Sequence, residues 1–150
     1  MLRELVCPVS AERVDQRVVR IVAGEVALLT IIYLASGWLL IPMLLSVDFA
    51  IRGFGSGAAS PLRAGAAAVA RWTGAPILID RAPKIFAARV GLLFSVAIVA
   101  LGATFAIAAS IVASVLLVFA LLESLLNICA GCLVYSYVVL PLTAKKSRLK

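Results

Sequence analysis

The sequence predicts an all-α, polytopic membrane protein with four transmembrane helices, arranged as two hairpins joined by a cytoplasmic amphipathic segment. Three observations carry that expectation. Of the 150 residues, 64% are hydrophobic and 14% are charged. Residues 26–47 and 90–122 contain no charged side chain at all. The basic residues also fall into three separate groups. An average soluble domain is about half apolar and about a quarter charged, so a water-soluble fold of this length has nowhere to hide so much apolar surface. Uncharged runs beyond about 18 residues read as membrane spans.

Residues 1–10 hold Arg3, Glu4 and Pro8 and lack the apolar core and small-residue cleavage site of a secretory signal peptide, so the first apolar segment is expected to remain in the mature protein. Ser10 suits an N-cap, with Glu12 and Asp15 in the turns where acids complement the helix dipole. Arg13, Arg17 and Arg20 then form a basic collar at the headgroups. Fourteen Lys and Arg against seven acids give a net charge of +7. No basic stripe interleaved with aromatic residues accompanies it, so the charge is read as cytoplasmic-leaflet retention and nucleic acid is not expected as a partner.

The span count follows from where the charge lies. The block at 85–141 is long enough for two crossings, whereas 18–54 reads either as one long tilted helix or as a hairpin turning at Ser36 and Gly37. A single crossing would put strongly basic groups on both sides, which the positive-inside rule disfavours. Two crossings per block leave short uncharged outer turns near Gly37 and near Gly102 to Thr104. The predicted spans are about 18–36, 38–52, 84–102 and 105–130, with a cytoplasmic linker at about 53–83, within a single membrane domain over 1–150. Pro42 is expected to kink the short second span. In the linker, Ser60-Pro61 resembles an N-cap followed by a first-turn proline, and Leu62, Ala66, Val69 and Trp72 recur at helical spacing, as in an interfacial helix.

Chemistry has few residues to draw on. The chain has no histidine, which removes His-based triads, histidine-ligated haem and mixed Cys/His zinc sites. What remains is Cys7 and the pair Cys129 and Cys132, in Cys129-Ala130-Gly131-Cys132. Two thiols at this spacing can close a disulfide at a helix end. A helix running on from Phe105 to Leu140 would be about 54 Å long against a membrane core of about 30 Å, so the chain is expected to bend near the cysteines, with Gly131 offering the break. On the cytoplasmic side such thiols point to exchange, sulfur transfer or metal binding; the alternative is that they only pack, as small apolar residues. A metal set would need Asp48, Glu123 or water as fourth ligand. Neither a metal nor a quinone nor any other cofactor is predicted.

Asp48, Arg52, Arg89, Glu123 and Asn127 all map near the cytoplasmic helix ends and are expected to form one polar layer beside the thiols. Asp48 and Arg52 are spaced to pair on one helix, and Glu123 and Asn127 share a face of another. Glu25 needs a partner, for which Arg89 is the candidate.

Taken together, Cys7-Pro8-Val9-Ser10, Arg13-Val14-Asp15, Asp48-Phe49 with Arg52, Ser60-Pro61-Leu62, Ala82-Pro83-Lys84 with Phe86-Ala87, and Glu123 through Asn127 to Cys132 resemble the bacterial membrane-protein family called domain of unknown function 4395. The resemblance covers nearly the whole chain. It implies a small multi-pass protein of the bacterial inner membrane, with thioredoxin-like or rhodanese-like sulfur proteins as soluble partners. The function expected from the sequence is cytoplasm-facing thiol-disulfide exchange or persulfide relay, with Cys129 and Cys132 as the active pair, Cys7 as resolving thiol and both termini cytoplasmic. A transporter or channel subunit for a small sulfur-containing solute and a structural membrane subunit are the alternatives.

Overall fold

The computed structural model describes residues 13–55, 57–134 and 137. Asp15, in extended backbone, accepts the Arg17 N–H on its carboxylate at 3.0 Å and so supplies the N-cap of helix α1, Gln16–Ser36. Ser10, the cap expected from the sequence, lies outside the described residues. Helix α1 ends where Gly37 enters left-handed backbone at φ 69° and donates its N–H to the Tyr33 carbonyl at 2.7 Å. The chain returns as α2, Leu40–Phe54, and leaves the bundle through α3, Pro61–Ala70, a 3₁₀ turn and a short strand. It re-enters as α4, Ala82–Gly102, and comes back as α5, Ala106–Leu126, before the five-residue α6, Ala130–Val134.

Helices α1, α4 and α5 are long and apolar enough to cross a membrane. The four-span expectation is therefore corrected to three. With 15 residues, α2 reaches about 22 Å, short of a hydrocarbon core of about 30 Å. The charge argument captured the return of the chain but not the length of the helix that makes it. That helix starts late because Trp38 N–H is held by Ser36 Oγ in the turn, and it ends at Gly55, whose N–H bonds the Ile51 carbonyl. Pro42 occupies the first turn of α2, where no intrahelical hydrogen bond is lost, so it does not act as the expected kink. The predicted fourth span, 105–130, is likewise divided into α5 and α6.

A second correction concerns the all-α class. Strand β1, Arg13–Asp15, pairs antiparallel with β2, Leu78–Asp80, in the register Arg13 to Asp80, Val14 to Ile79 and Asp15 to Leu78. The linker thus folds back on the start of α1 rather than carrying a helix alone. Ser60 does cap α3, accepting the Arg63 N–H at 3.1 Å with Pro61 as first helical residue, as its sequence suggests.

Within the bundle α2 lies along α4, α1 along α5, α4 along α5, and α3 on α1. Both hairpin turns fall at one end, where Gly102 meets Leu39 and Tyr33. The other end, where Arg20 Nε donates to the Ser124 carbonyl at 3.0 Å, gathers the β-ribbon, α3, α6 and the charges. Close approach rests on small residues: Ala109, Ala113 and Ser95 are fully buried, and Phe49 seats its ring on Gly91, where an added Cβ would come within 2.5 Å of it. Large apolar side chains such as Leu28, Leu44, Leu93, Ile107 and Leu125 point outward, as they do in a bundle whose solvent is lipid.

Candidate functional site

The polar end of the bundle is organised around Asp48, which is 1% exposed on the inner face of α2. One carboxylate oxygen accepts from Ser60 Oγ at 2.6 Å and from the Leu62 N–H at 3.4 Å, tying α2 to the first turn of α3. The other lies 2.7 Å from Arg52 Nε one turn along the same helix, an ion pair whose angle falls outside hydrogen-bond geometry. The Arg52 guanidinium also stacks over the Phe49 ring at 4.6 Å and is in electrostatic range of Glu123 and Glu25. Its buried Nη2 has no hydrogen-bond partner among the described residues.

The other residues of the predicted polar layer take separate duties. Arg89 donates from Nε to the Gly53 carbonyl at 2.9 Å and lies over Phe54, closing the end of α2 against α4. Glu123 accepts from Lys84 Nζ at 2.5 Å, joining α4 to α5. Asn127 does not join the layer. It is exposed, adopts left-handed backbone at φ 57° and ends α5 by donating its N–H to the Leu122 carbonyl. Glu25 does not meet Arg89 either; it faces α3, where a Cβ at Gly65 would lie 3.4 Å from its Oε1, and its buried Oε2 has no hydrogen-bond partner among the described residues.

A cavity of about 410 Å³ opens beside this network, between the start of α1, the ends of α2 and α5, and the first turns of α3 and α4. Its walls are mainly apolar, with Val22, Phe94, Leu116 and Phe119 towards the middle of the bundle. Among the described residues, Arg52, Arg63, Arg81 and Lys84 line it together with two carboxylates, Asp15 and Glu123. Sequence reasoning counted Arg63, Arg81 and Lys84 only as cytoplasmic charges. The available signal was their position: Arg63 is in the first turn of α3, Arg81 occupies the N-cap position of α4 without a side-chain capping bond, Lys84 follows in the first turn, and neither turn contains an acid. Cations there oppose the helix dipole.

Cys129 is 7% exposed and lines this cavity. The helix break expected at Gly131 comes earlier, at Asn127, and α6 restarts after Cys129. Gly131 instead lets α6 press on α4: an added Cβ would fall 2.7 Å from Ala87 Cβ and 2.8 Å from Ala87 Cα. Cys132 belongs to α6 by its backbone; its side chain and the whole of Cys7 lie outside what is described. Among the described residues no group of three or more His, Cys, Asp or Glu side chains is arranged to hold a metal ion.

Arg17, read from the sequence as a headgroup anchor, is a half-buried tie. It pairs with Asp15 at 2.9 Å and donates to the Ala70 and Gly74 carbonyls and to Thr73 Oγ1, fastening the end of α3 to the start of α1. Asp15 also accepts the Ile77 N–H at 3.4 Å. Burial pushes the Asp15 carboxyl upward, but the hydrogen bonds from the Arg17 side chain, its backbone and Ile77 outweigh it and hold the group below its ordinary value.

No curated protein and no solved structure matches the chain. Residues 14–139 match the family described as Domain of unknown function (DUF4395), a stretch that takes in α1, α4, α5 and the residues lining the cavity, and the chain belongs to that family.

Proposed function

We propose that this membrane protein is a thiol carrier in which Cys129 works at the wall of the basic-lined cavity. The carrying observation is that placement: a buried cysteine shares one cavity with Arg52, Arg63, Arg81 and Lys84. Neighbouring cations favour thiolate, the nucleophilic form. In persulfide relay, the Cys129 thiolate attacks the outer sulfur of a partner's persulfide; a new S–S bond forms on Cys129 and the partner leaves as a thiolate, with no net oxidation. In disulfide exchange the same thiolate attacks a partner disulfide, and Cys132 or Cys7 resolves the mixed disulfide by displacing the partner's sulfur. The partner is a soluble thioredoxin-like or rhodanese-like protein, met at the polar end of the bundle. The grouping of cations at that end supports its facing the cytoplasm of a bacterial inner membrane.

The test uses the full chain in vesicles of known orientation. A thiosulfate-loaded rhodanese is the sulfur donor, and persulfide on the membrane protein is read by mass spectrometry. Transfer that disappears in Cys129→Ser and persists in Cys7→Ser supports the relay. Equal labelling of wild type and Cys129→Ser, together with an unreactive Cys129 in disulfide trapping, sinks it. A cysteine introduced at Thr73, before α4, should be reached by impermeant reagent from the cytoplasmic face and one at Thr104, after it, from the opposite face; the reverse pattern refutes the orientation.

A further inference from the structure

Helices α1 and α4 begin on the same side of the membrane: Arg20, near the start of α1, and Lys84, near the start of α4, both bind the end of α5. The chain must therefore recross between Ser36 and Ala82, and α2 is too short to do so alone. It stops roughly 10 Å above the start of α4, where the Gly53 carbonyl accepts from Arg89, seven residues into that helix. Helix α3 lies over the missing stretch, antiparallel to α1, in a register fixed by three contacts. Pro61 and Leu62 share a groove with Leu28 and Leu29, an added Cβ at Gly65 would lie 3.4 Å from Glu25 Oε1, and the Ala70 carbonyl accepts from Arg17 at 3.2 Å. Because α1 is itself a span, its residues measure depth at about 1.5 Å each. The last turn of α3 lies level with the start of α1, and its first turn lies roughly 18 Å further in, beside Leu28 and close to the middle of a core of about 30 Å.

Two features suit that depth and do not suit a surface in water. The exposed face of α3, Pro61, Ala64, Gly65, Ala68 and Val69, is wholly apolar and recurs at helical spacing, while Arg63 turns from it to line the cavity. The first turn is also satisfied from within the protein. Pro61 has no N–H, the Leu62 N–H reaches Asp48 Oδ1 at 3.4 Å, the Arg63 N–H reaches Ser60 Oγ at 3.1 Å and the Ala64 N–H reaches the Ser60 carbonyl at 3.0 Å. Water would serve these groups at a surface, whereas hydrocarbon leaves them only protein partners. Asp48 is then the complement of a helix N-terminus buried in the bundle, which accounts for a carboxylate at that depth.

We infer that α3 is a re-entrant half-helix whose apolar face lies against lipid acyl chains. After Gly55 the chain turns back into the leaflet on the charged side of the bundle, Ser60 starts α3 near the middle of the membrane, and α3 descends beside α1 to leave at Arg71. Residues 53–62, which carry the turn, hold no charged side chain. Helices α2 and α3 together make the return crossing that neither completes. Gly57, Arg63 and Ala67 form part of the cavity lining, so α3 stands as a wall between that cavity and lipid.

The test reads depth by tryptophan quenching in the full chain, reconstituted into phosphatidylcholine vesicles whose acyl chains are brominated either near the headgroup or near the methyl end. Positions 64, 68 and 72 follow one another on the exposed side, about 6 Å apart along the axis. Ala64→Trp and Ala68→Trp, each in a Trp38→Phe, Trp72→Phe background, and native Trp72 in Trp38→Phe supply one fluorophore at each depth. Quenching by the deep bromines should be strongest at 64, intermediate at 68 and at least about twofold weaker at 72, because the 64-to-72 distance is most of one leaflet. Acrylamide, added from water, should give the reverse order. Equal quenching by bromine at all three positions would show a helix lying flat on the membrane surface, and acrylamide reaching 64 as freely as 72 would show one in water; either result overturns the inference. All three positions are exposed, so a Trp there displaces no packed neighbour, and if Ala64→Trp still fails to fold, the order of 68 and 72 decides in the same way. None of these variants replaces Cys129, so the depth order and the persulfide assay fail independently.

Discussion

Asp48 and Arg52, one helical turn apart on α2, form a buried ion pair at 2.7 Å, and Asp48 simultaneously holds Ser60, the N-cap of α3, at 2.6 Å. One carboxylate therefore fixes both the return helix of the first hairpin and the entry to the linker. Removing one partner of a buried pair strands the other charge, at about 3–5 kcal/mol. Asp48→Ala is expected to lose about that much stability in detergent unfolding. Ser60→Ala should lose only about 1–2 kcal/mol, for the cap and one hydrogen bond to a charged acceptor. Ser60→Ala in an Asp48→Asn background should cost less than in wild type, because the two act through one contact. Strict additivity would show that the contact carries no coupling.

Asp15 predicts an acid-sensitive joint. Its carboxyl is held below the ordinary value because hydrogen bonds from Arg17 and Ile77 outweigh the upward push of burial. The sign follows: the stabilisation is complete above the unfolded value of about 3.9 and is lost as pH falls through the lower folded value. Trp72 is 91% exposed beside the Thr73 and Gly74 groups that Arg17 grips, so in a Trp38→Phe protein its fluorescence reports this joint. The emission should stay constant from neutral pH down to about 4 and change below it. Asp15→Asn keeps a good N-cap but has no charge to titrate, so that transition should vanish.

The parts of this fold that obey one-dimensional rules were legible in the sequence. The hairpin turn at Gly37, the Ser60-Pro61 helix start and the pairing of Asp48 with Arg52 each depend on residues within a few positions of one another. The short reach of α2 was not legible, because uncharged sequence continues through the turn at Gly37, and only the Ser36 hydroxyl on Trp38 shows where the helix has not yet begun. The β-ribbon escaped for a different reason: Arg13–Asp15 and Leu78–Asp80 are three-residue strands far apart in the chain, too short for an alternating pattern. Depth at a helix end placed Asn127 in the polar layer and helical spacing placed it on one face with Glu123, but its own left-handed backbone ends the helix on which that shared face depended. The cavity cations were the largest omission, since positive-inside reasoning accounts for a cytoplasmic Arg or Lys without asking which helix end it occupies.

Two glycines predict how tightly the site is closed. A Cβ at Gly91 would come within 2.5 Å of the Phe49 ring, and one at Gly131 within 2.8 Å of the Ala87 backbone. Gly91→Ala should cost about 1–3 kcal/mol as the ring is displaced. Gly131→Ala meets a neighbour that cannot rotate away, so α6 must lift from α4. The expected signature is faster alkylation of Cys129 with little change in melting temperature. Ala87→Gly removes the Cβ at 2.7 Å but leaves the Cα at 2.8 Å, so it should reverse the effect only in part, and no reversal at all would show that the backbone contact alone sets the closure.

The last prediction sets the charges of the cavity against the reactivity of its thiol. Lys84 and Glu123 form an ion pair across α4 and α5, and both side chains line the cavity that Cys129 borders. Removing the carboxylate takes one negative charge from the cavity wall, and removing the ammonium takes one positive charge from it. Cations raise the thiolate fraction and anions lower it, so the two variants must move the reaction in opposite directions. Glu123→Gln should speed alkylation of Cys129 by a small neutral reagent at pH 7, and Lys84→Met should slow it, each by about threefold to tenfold, the order expected of one partly screened charge on the cavity wall. Both variants break the same bridge, so loosening of the helices alone would change both rates in the same direction. Opposite signs identify an electrostatic effect on the sulfur; parallel changes reduce Lys84 and Glu123 to a structural clasp and remove the cations as the source of any activation.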